Sequence, residues 1–369
     1  MPDRPTVLVN HLYERANRIS GISQYLFSLL AALLRRDDFS YVLATNWDEA
    51  ELPRELRDRG LRVERLKLSD STPVNLARQT VALRRLMSRH KAAVEFCPNP
   101  VSGLFKSWPS VFTVHDLYFD VAPEQYRGRH LLWWKLFFPM TARAASRIIC
   151  VSEQTRCDLV RFHPNCAAKT VVVHEAPTLA PRGVPDVSRQ PRGLFVANVS
   201  PNKGGDILIA ALDALARRGS ALEVCHVGQD NGAFAAAQSA LKTEAGPHLL
   251  GTVSADRLAE LYASSLFLAF PSTYEGFGLP VLEAQAFGLP VIATDIPVLR
   301  EVAGEGALFF PAGDSEALAD RMTALAQDPV LWRRMHEAAL RNVSGFSWER
   351  AAEQTSTTFR DAIAIDTRR

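Results

Sequence analysis

The sequence has no run of about 18 uncharged apolar residues, the length a membrane-crossing helix needs, so no transmembrane segment is expected. Cysteine is scarce: Cys97, Cys150, Cys157, Cys166 and Cys225 are scattered, odd in number and without a CxxC pair. That usage argues against zinc and for reduced thiols in a cytoplasmic protein. Net charge is also small, since 42 Lys and Arg meet 40 Asp and Glu. No motif of a nucleic-acid-binding fold is present, so no nucleic-acid partner is expected. No GxGxxG follows the first strand pattern, which leaves a dinucleotide site there unsupported. There is no DxD cluster suited to a divalent metal bridging two phosphates. The start, MPDRPTVLVN, enters a strand pattern directly and lacks the order of a signal peptide.

What is present is an α/β chain. With 369 residues, 47% of them hydrophobic and 22% charged, the length predicts two globular domains, each with its own core. Charge divides unevenly: residues 1–180 hold 25 Lys and Arg against 18 Asp and Glu, the remainder 17 against 22. The first half is therefore expected to meet something anionic. Short apolar strand patterns at 7–9, 41–45, 63–66, 93–97, 111–114, 148–151 and 171–173 alternate with helical patterns, the first of them about 22–34. Such alternation means right-handed crossovers and a parallel sheet, a Rossmann-like domain. Four prolines between Pro177 and Pro191 mark a linker. The alternation then restarts at 194–197, 222–227, 249–250, 266–270, 291–293 and 307–310, with a helix about 203–216. The predicted organisation is an N-terminal domain 1–176, a linker 177–191, a C-terminal domain 192–345 and a closing helix 346–369. Two such domains in tandem are expected to face one another across a cleft at the carboxyl ends of their sheets, where open α/β sheets place ligands.

The densest signal is FPSTYEGFGLPVLEAQAFG, residues 270–288. An apolar strand ends at Pro271, a loop carries Glu275, Gly276, Phe277 and Gly278, and Pro280 opens a helix at a position where its missing N–H costs nothing. Gly288 is placed to close that helix as a left-handed cap. A glycine-bearing loop running into a helix start points backbone N–H groups and the positive end of the helix dipole outward, which suits an anion. Two carboxylates bracket the loop, Glu275 and, on the expected first turn, Glu283. Read from the residues alone, the glycines make either a tight turn or this anion site, and Glu283 is either a solvated first-turn acid or a group for sugar hydroxyls.

YEGFGLPVLEAQAFGLPVIATDIPVLREV, with Glu275 and Glu283 eight positions apart, resembles the signature of retaining glycosyltransferase family 4, enzymes of the GT-B fold also called glycosyl transferases group 1. The setting of HDL and VSPNKG resembles its mannosyltransferase branches. The resemblance implies that Lys203, in FVANVSPNKGG, sits on the pyrophosphate of a nucleotide-sugar donor, and that Glu275 holds sugar hydroxyls and Glu283 the ribose. It implies donor contacts from Gly276, Phe277, Gly278 and Leu279, and a base-reading loop at 251–253 ending on Val253. His115, at the carboxyl end of a first-domain strand, is implied to contact the donor sugar near the reacting centre; Asp116 either orients it or caps a turn. Gly21 either lets backbone approach the diphosphate or simply starts a helix. Where the family commonly has an arginine, this chain has Asn198, so one cation for the leaving diphosphate is missing or supplied elsewhere. Ser152 reads best as an N-cap, and the last helix, from Ser347, is implied to return to the first domain with Trp348 as its anchor.

The implied reaction is transfer of a hexose, mannose from GDP-mannose first and a UDP-sugar next, to a hydroxyl of a glycan or lipid-linked acceptor in cell-surface polysaccharide synthesis. Neither glutamate reads as a nucleophile; the resemblance implies front-side attack with retention and no cofactor, and the lack of a DxD cluster predicts that no metal is needed. A GT-B epimerase would instead release nucleotide without an acceptor, a phosphorylase would respond to inorganic phosphate, and a noncatalytic subunit would bind donor without turning it over. Two segments suit an anionic membrane surface or, alternatively, a solvated face. RQTVALRRLMSRHK carries Arg78, Arg84, Arg85, Arg89 and Lys91; QYRGRHLLWWKLFFPMTARAASR sets Arg127, Arg129, Lys135 and Arg143 beside Trp133, Trp134, Phe137 and Phe138.

Overall fold

The computed structural model describes residues 4–12, 20–66, 72–100, 107–126, 128–181 and 189–366. The chain forms two compact units, Met1–Glu175 with Ser347–Arg369, and Ala176–Phe346.

In the first unit, strands β1 (Thr6–His11), β2 (Ser40–Thr45), β3 (Arg62–Arg65), β4 (Ala92–Cys97), β5 (Ser110–Val114), β6 (Arg147–Cys150) and β7 (Thr170–Val172) are laid in the order β3-β2-β1-β4-β5-β6-β7. Every pairing is parallel. β1 and β5 lie inside the sheet and are buried almost throughout. The helix Gly21–Leu33 starts at Ser20, whose hydroxyl accepts the Ser23 N–H. It buries Tyr25, Leu26, Leu29, Leu30 and Leu33 along one face. Against it lies the closing helix Trp348–Asp366, with the Trp348 ring edge-on to Tyr25 at 5.9 Å. Phe359 of that helix, fully buried, wedges between Phe39 and Phe96.

In the second unit, β8 (Arg192–Val196), β9 (Glu223–Val227), β10 (His248–Leu249), β11 (Phe267–Phe270), β12 (Val291–Thr294) and β13 (Ala307–Phe310) form another parallel sheet, in the order β10-β9-β8-β11-β12-β13. The chain runs outward from β8 in one direction, then returns and continues from β11 in the other. This reversal leaves the loops after β8 and β11 adjacent at the carboxyl edge. The helix Leu279–Ala286 ends in a Schellman motif: Leu289 N–H donates to the Ala284 carbonyl and Gly288 N–H to that of Gln285, with Gly288 left-handed.

Two local expectations change. The helix after β8 begins at Gly205, because Pro201–Lys203 makes a 3₁₀ turn and left-handed Gly204 separates it from the helix. Glu283 is the fifth residue of its helix, which puts it on the second turn. Of the proline-rich stretch, residues 182–188 lie outside the described residues. Just beyond them, Arg189 donates to the Ser265 and Phe287 carbonyls and stacks on Trp332, so that end is bound to the second unit.

Five of the six tryptophans belong to the first unit, so tryptophan fluorescence follows mainly its unfolding. Phe359→Ala removes a buried ring shared by the closing helix and the sheet, and should destabilise that unit by about 3–5 kcal/mol. A urea titration followed at the tryptophans checks this, and an unchanged midpoint would remove the closing helix from the core.

Candidate functional site

The four loops at the carboxyl ends of β10, β9, β8 and β11 lie side by side in sheet order, and glycines let them touch. A Cβ on Gly228 would stand 2.0 Å from the Ala197 carbonyl oxygen, and one on Gly204 would stand 2.1 Å from that of Pro271. Both glycines have positive φ. Hydrogen bonds then join the loops: Gly228 N–H to the Gly251 carbonyl, Val199 N–H to that of Gln229, and Thr273 N–H to that of Asn202. The Asn202 side chain donates to the Tyr274 carbonyl at 3.0 Å. Asn202 drew no attention in the sequence, although an asparagine beside a glycine-flanked lysine is a residue type suited to bridging loops.

On this framework Lys203 and Glu275 meet. The ammonium donates to both carboxylate oxygens at 2.8 Å, with Glu275 buried and Lys203 half-buried. A lysine ammonium has three donors and a carboxylate about four acceptor positions, so the pair leaves one donor and two acceptor positions for a ligand. Phe277 is buried edge-on to Phe346 and holds the turn between Gly276 and left-handed Gly278. Gly278 and Leu279 open the helix Leu279–Ala286, which has no acidic residue in its first turn. The positive end of this helix dipole follows Glu275 along the chain, and that of the helix Gly205–Arg217, which carries Asp206 in its first turn, follows Lys203.

Glu283 lies deeper. It is buried, accepts the Tyr262 hydroxyl at 3.1 Å, and accepts the Thr178 hydroxyl on its other oxygen. Burial and the Glu283 charge push the Tyr262 phenol pKa well up, so it stays a donor. Tyr262 was hidden in an amphipathic helix, and Thr178 in the proline-rich stretch. Asn198 is exposed, and its amide oxygen accepts the Gln229 N–H at 2.9 Å. Val253 is half-buried in the loop that follows β10, just before Ser254, which caps the next helix.

In the first unit, His115 leaves the carboxyl end of β5 with both ring nitrogens engaged: Nε2 is 2.8 Å from the Pro98 carbonyl and Nδ1 is 3.0 Å from Glu175. Asp116 caps a turn by accepting the Tyr118 N–H at 3.0 Å. Glu175 was missed by sequence reasoning because it stands alone at the start of the proline-rich stretch; an acid within a few residues of the end of an apolar strand is the signal that marks it. A Cβ on Gly21 would meet nothing within 4 Å, so the fold itself makes no demand for glycine there. Ser152 caps the helix Glu153–Phe162 by accepting the Thr155 N–H. Among the described residues no three His, Cys, Asp or Glu side chains gather as metal ligands, and no helix is long and apolar enough to cross a membrane.

Residues 19–176 match the family model for Glycosyltransferase Family 4, and residues 184–342 that for Glycosyl transferases group 1. Serotype-specific mannosyltransferase WbdA of Escherichia coli is 29% identical over 268 residues, 66% of this chain and 32% of the relative. D-inositol 3-phosphate glycosyltransferase of Streptomyces avermitilis is 30% identical over 252 residues, 61% of this chain and 54% of the relative. The matched region thus spans about a third to a half of these curated relatives' length. The crystal structure of Anabaena HepE in complex with UDP and glucose superposes with a TM-score of 0.71 at 18% identity, covering 96% of this chain and 99% of that one. The two parallel sheets are those of the GT-B fold.

Lys203→Ala strips the partner from a buried carboxylate and should destabilise the second unit by about 1–3 kcal/mol. The double change Lys203→Ala with Glu275→Gln should recover part of that loss. Thermal unfolding of the three proteins checks this, and a Lys203→Ala midpoint equal to the parent's would mean the pair is not formed in solution.

Proposed function

The chain belongs to glycosyltransferase family 4, and from that premise we propose that it moves a mannosyl group from GDP-mannose to a hydroxyl of a glycan or lipid-linked saccharide, with retention. The observation that carries this reading is the Lys203–Glu275 pair at the reversal of the second sheet, between two helix starts. The third donor of Lys203 takes an oxygen of the diphosphate, while the remaining acceptor positions of Glu275 take hydroxyls of the sugar. The ion pair therefore need not break for both to act. The Glu283 carboxylate serves the ribose, with Thr178 and Tyr262 holding it in place.

As the anomeric carbon–oxygen bond breaks, negative charge grows on the leaving diphosphate. The ammonium of Lys203 and the positive ends of two helices are already fixed where that charge develops, so little reorganisation is needed. The acceptor hydroxyl forms the new bond on the same face, and its proton passes to the departing phosphate oxygen. This needs no protein nucleophile and no metal. His115 keeps a contact with the donor sugar. Mannose is favoured by the mannosyltransferase relative; a UDP-sugar is the second reading, favoured by the UDP in the HepE complex.

The helix Gly128–Ala144 supports a peripheral contact with an anionic membrane. Its Trp134 and Phe138 face the core, but Leu132, Leu136 and Met140, at i, i+4 and i+8, are 60%, 55% and 48% exposed. Arg143 is exposed near its end, whereas Lys135 is taken up by Asp120. Arg78, Arg84, Arg85 and Arg89 are exposed on the helix Thr72–Arg89. Arg127 and the side chain of Arg129 lie outside the described residues.

A thermal-shift series with GDP, UDP, ADP and their sugars should single out GDP and GDP-mannose, a ligand at 100 times its Kd stabilising the protein by about 2.7 kcal/mol. The shift should vanish in Lys203→Ala, and mannosyl transfer should survive EDTA. A shift with UDP alone would move the donor to the second reading, and none with any diphosphate would overturn the donor site. In a flotation assay the chain should rise with anionic vesicles and lose that behaviour in Leu132→Glu with Leu136→Glu; equal flotation with neutral vesicles, or none, would remove the membrane contact.

A further inference from the structure

His115 is held by two groups that only accept. The Pro98 carbonyl cannot donate, so its 2.8 Å contact fixes a proton on Nε2. Nδ1 then faces the Glu175 carboxylate at 3.0 Å, and a hydrogen bond there requires a second proton. Glu175 is 3% exposed, so water does not compete for it, and an unpaired charge there would be costly.

The other neighbours bring no rival. Tyr25, from the helix Gly21–Leu33, stands edge-on to the imidazole at 4.8 Å. Its hydroxyl is bonded to Thr113, and burial pushes its pKa up, so it is neutral. Asp116 adds only a favourable charge, and Thr155 bonds the His115 backbone carbonyl. Burial alone would drive the second proton off. The hydrogen bond and charge of Glu175, with help from the Pro98 carbonyl, outweigh it and hold His115 above the ordinary histidine range.

Taking the proposed transfer as the reaction, we propose that Glu175 is the positioning residue of His115. It keeps the imidazole doubly protonated and fixes its ring plane, so that His115 meets the sugar as an oriented, charged contact and never as a base. Both nitrogens that could move a proton are already bonded within the protein. The imidazole is thereby removed from the groups that could accept the hydroxyl proton. Glu175 closes the Met1–Glu175 segment of the first unit, to which His115 also belongs.

The test reads the ring directly and needs no substrate. In the full chain labelled with ¹⁵N at histidine, long-range ¹H–¹⁵N spectra separate protonated from lone-pair ring nitrogens, and His115→Gln identifies the signal. Both His115 nitrogens should be protonated beyond the midpoint of an ordinary histidine, about pH 6.5. In Glu175→Gln the amide still accepts a hydrogen bond but carries no charge, so the midpoint should fall below that value. Glu175→Asp, which restores the charge, should bring it part of the way back.

A lone-pair nitrogen in the unaltered chain at about pH 6, or a titration unchanged by Glu175→Gln, would overturn the inference whatever the chain transfers. With a donor that is turned over, Glu175→Gln should lose kcat as pH rises through the lowered midpoint. A kcat independent of pH in that variant would also overturn it. If the ring pattern holds but no nucleotide sugar is consumed, the proposed transfer fails and the role of Glu175 in the free protein stands.

Discussion

The second unit depends on one close approach, that of Gly204 to the Pro271 carbonyl. No side chain fits between them, since a Cβ would lie 2.1 Å from the carbonyl oxygen. The same condition recurs one strand over, where Gly228 meets Ala197. Loops that would otherwise splay at the end of a twisted sheet are thereby drawn into backbone contact and joined by hydrogen bonds. Only then do Lys203 and Glu275, separated by 72 positions in sequence, come within 2.8 Å. The pair is a consequence of the packing. Its buried carboxylate would be costly anywhere the lysine could not reach it.

This order of causes explains what the sequence shows and what it conceals. Among the described residues the central strands were legible because parallel strands buried on both faces leave apolar runs; the exposed edge strands β3 and β10 were legible from the alternation of strand and helix patterns. The EGFG loop and the Gly288 cap were legible because glycine is the residue for positive φ. The position of Lys203 was read one element too far along. Whether a lysine before two glycines begins a helix or ends a 3₁₀ turn depends on the left-handed conformation of Gly204, which packs against the Pro271 carbonyl just after a strand distant in sequence.

The residues that escaped notice share a physical trait. Glu175, Thr178 and Tyr262 act through partners 60, 105 and 21 positions away, and beyond the place of Glu175 after a strand nothing local distinguishes them. Thr178 looks like part of a linker because prolines surround it; its hydroxyl is nevertheless committed to a buried carboxylate. Composition identifies where a chain cannot form a core. It does not say which polar atoms in that stretch are tied down.

Asn198 can be weighed on the same terms. Its amide oxygen accepts the Gln229 N–H and helps hold the loop after β9 beside the loop after β8. A guanidinium has no acceptor, so an arginine at this position could not make that bond. The residue trades a cation for a hydrogen bond between loops. In this chain the positive field at the junction then comes from Lys203 and from two helix starts, and two of these three sources are backbone. Backbone dipoles keep their place only as long as their loops do, which makes the loop contact that Asn198 supplies part of the electrostatics and gives its neutrality a physical reason.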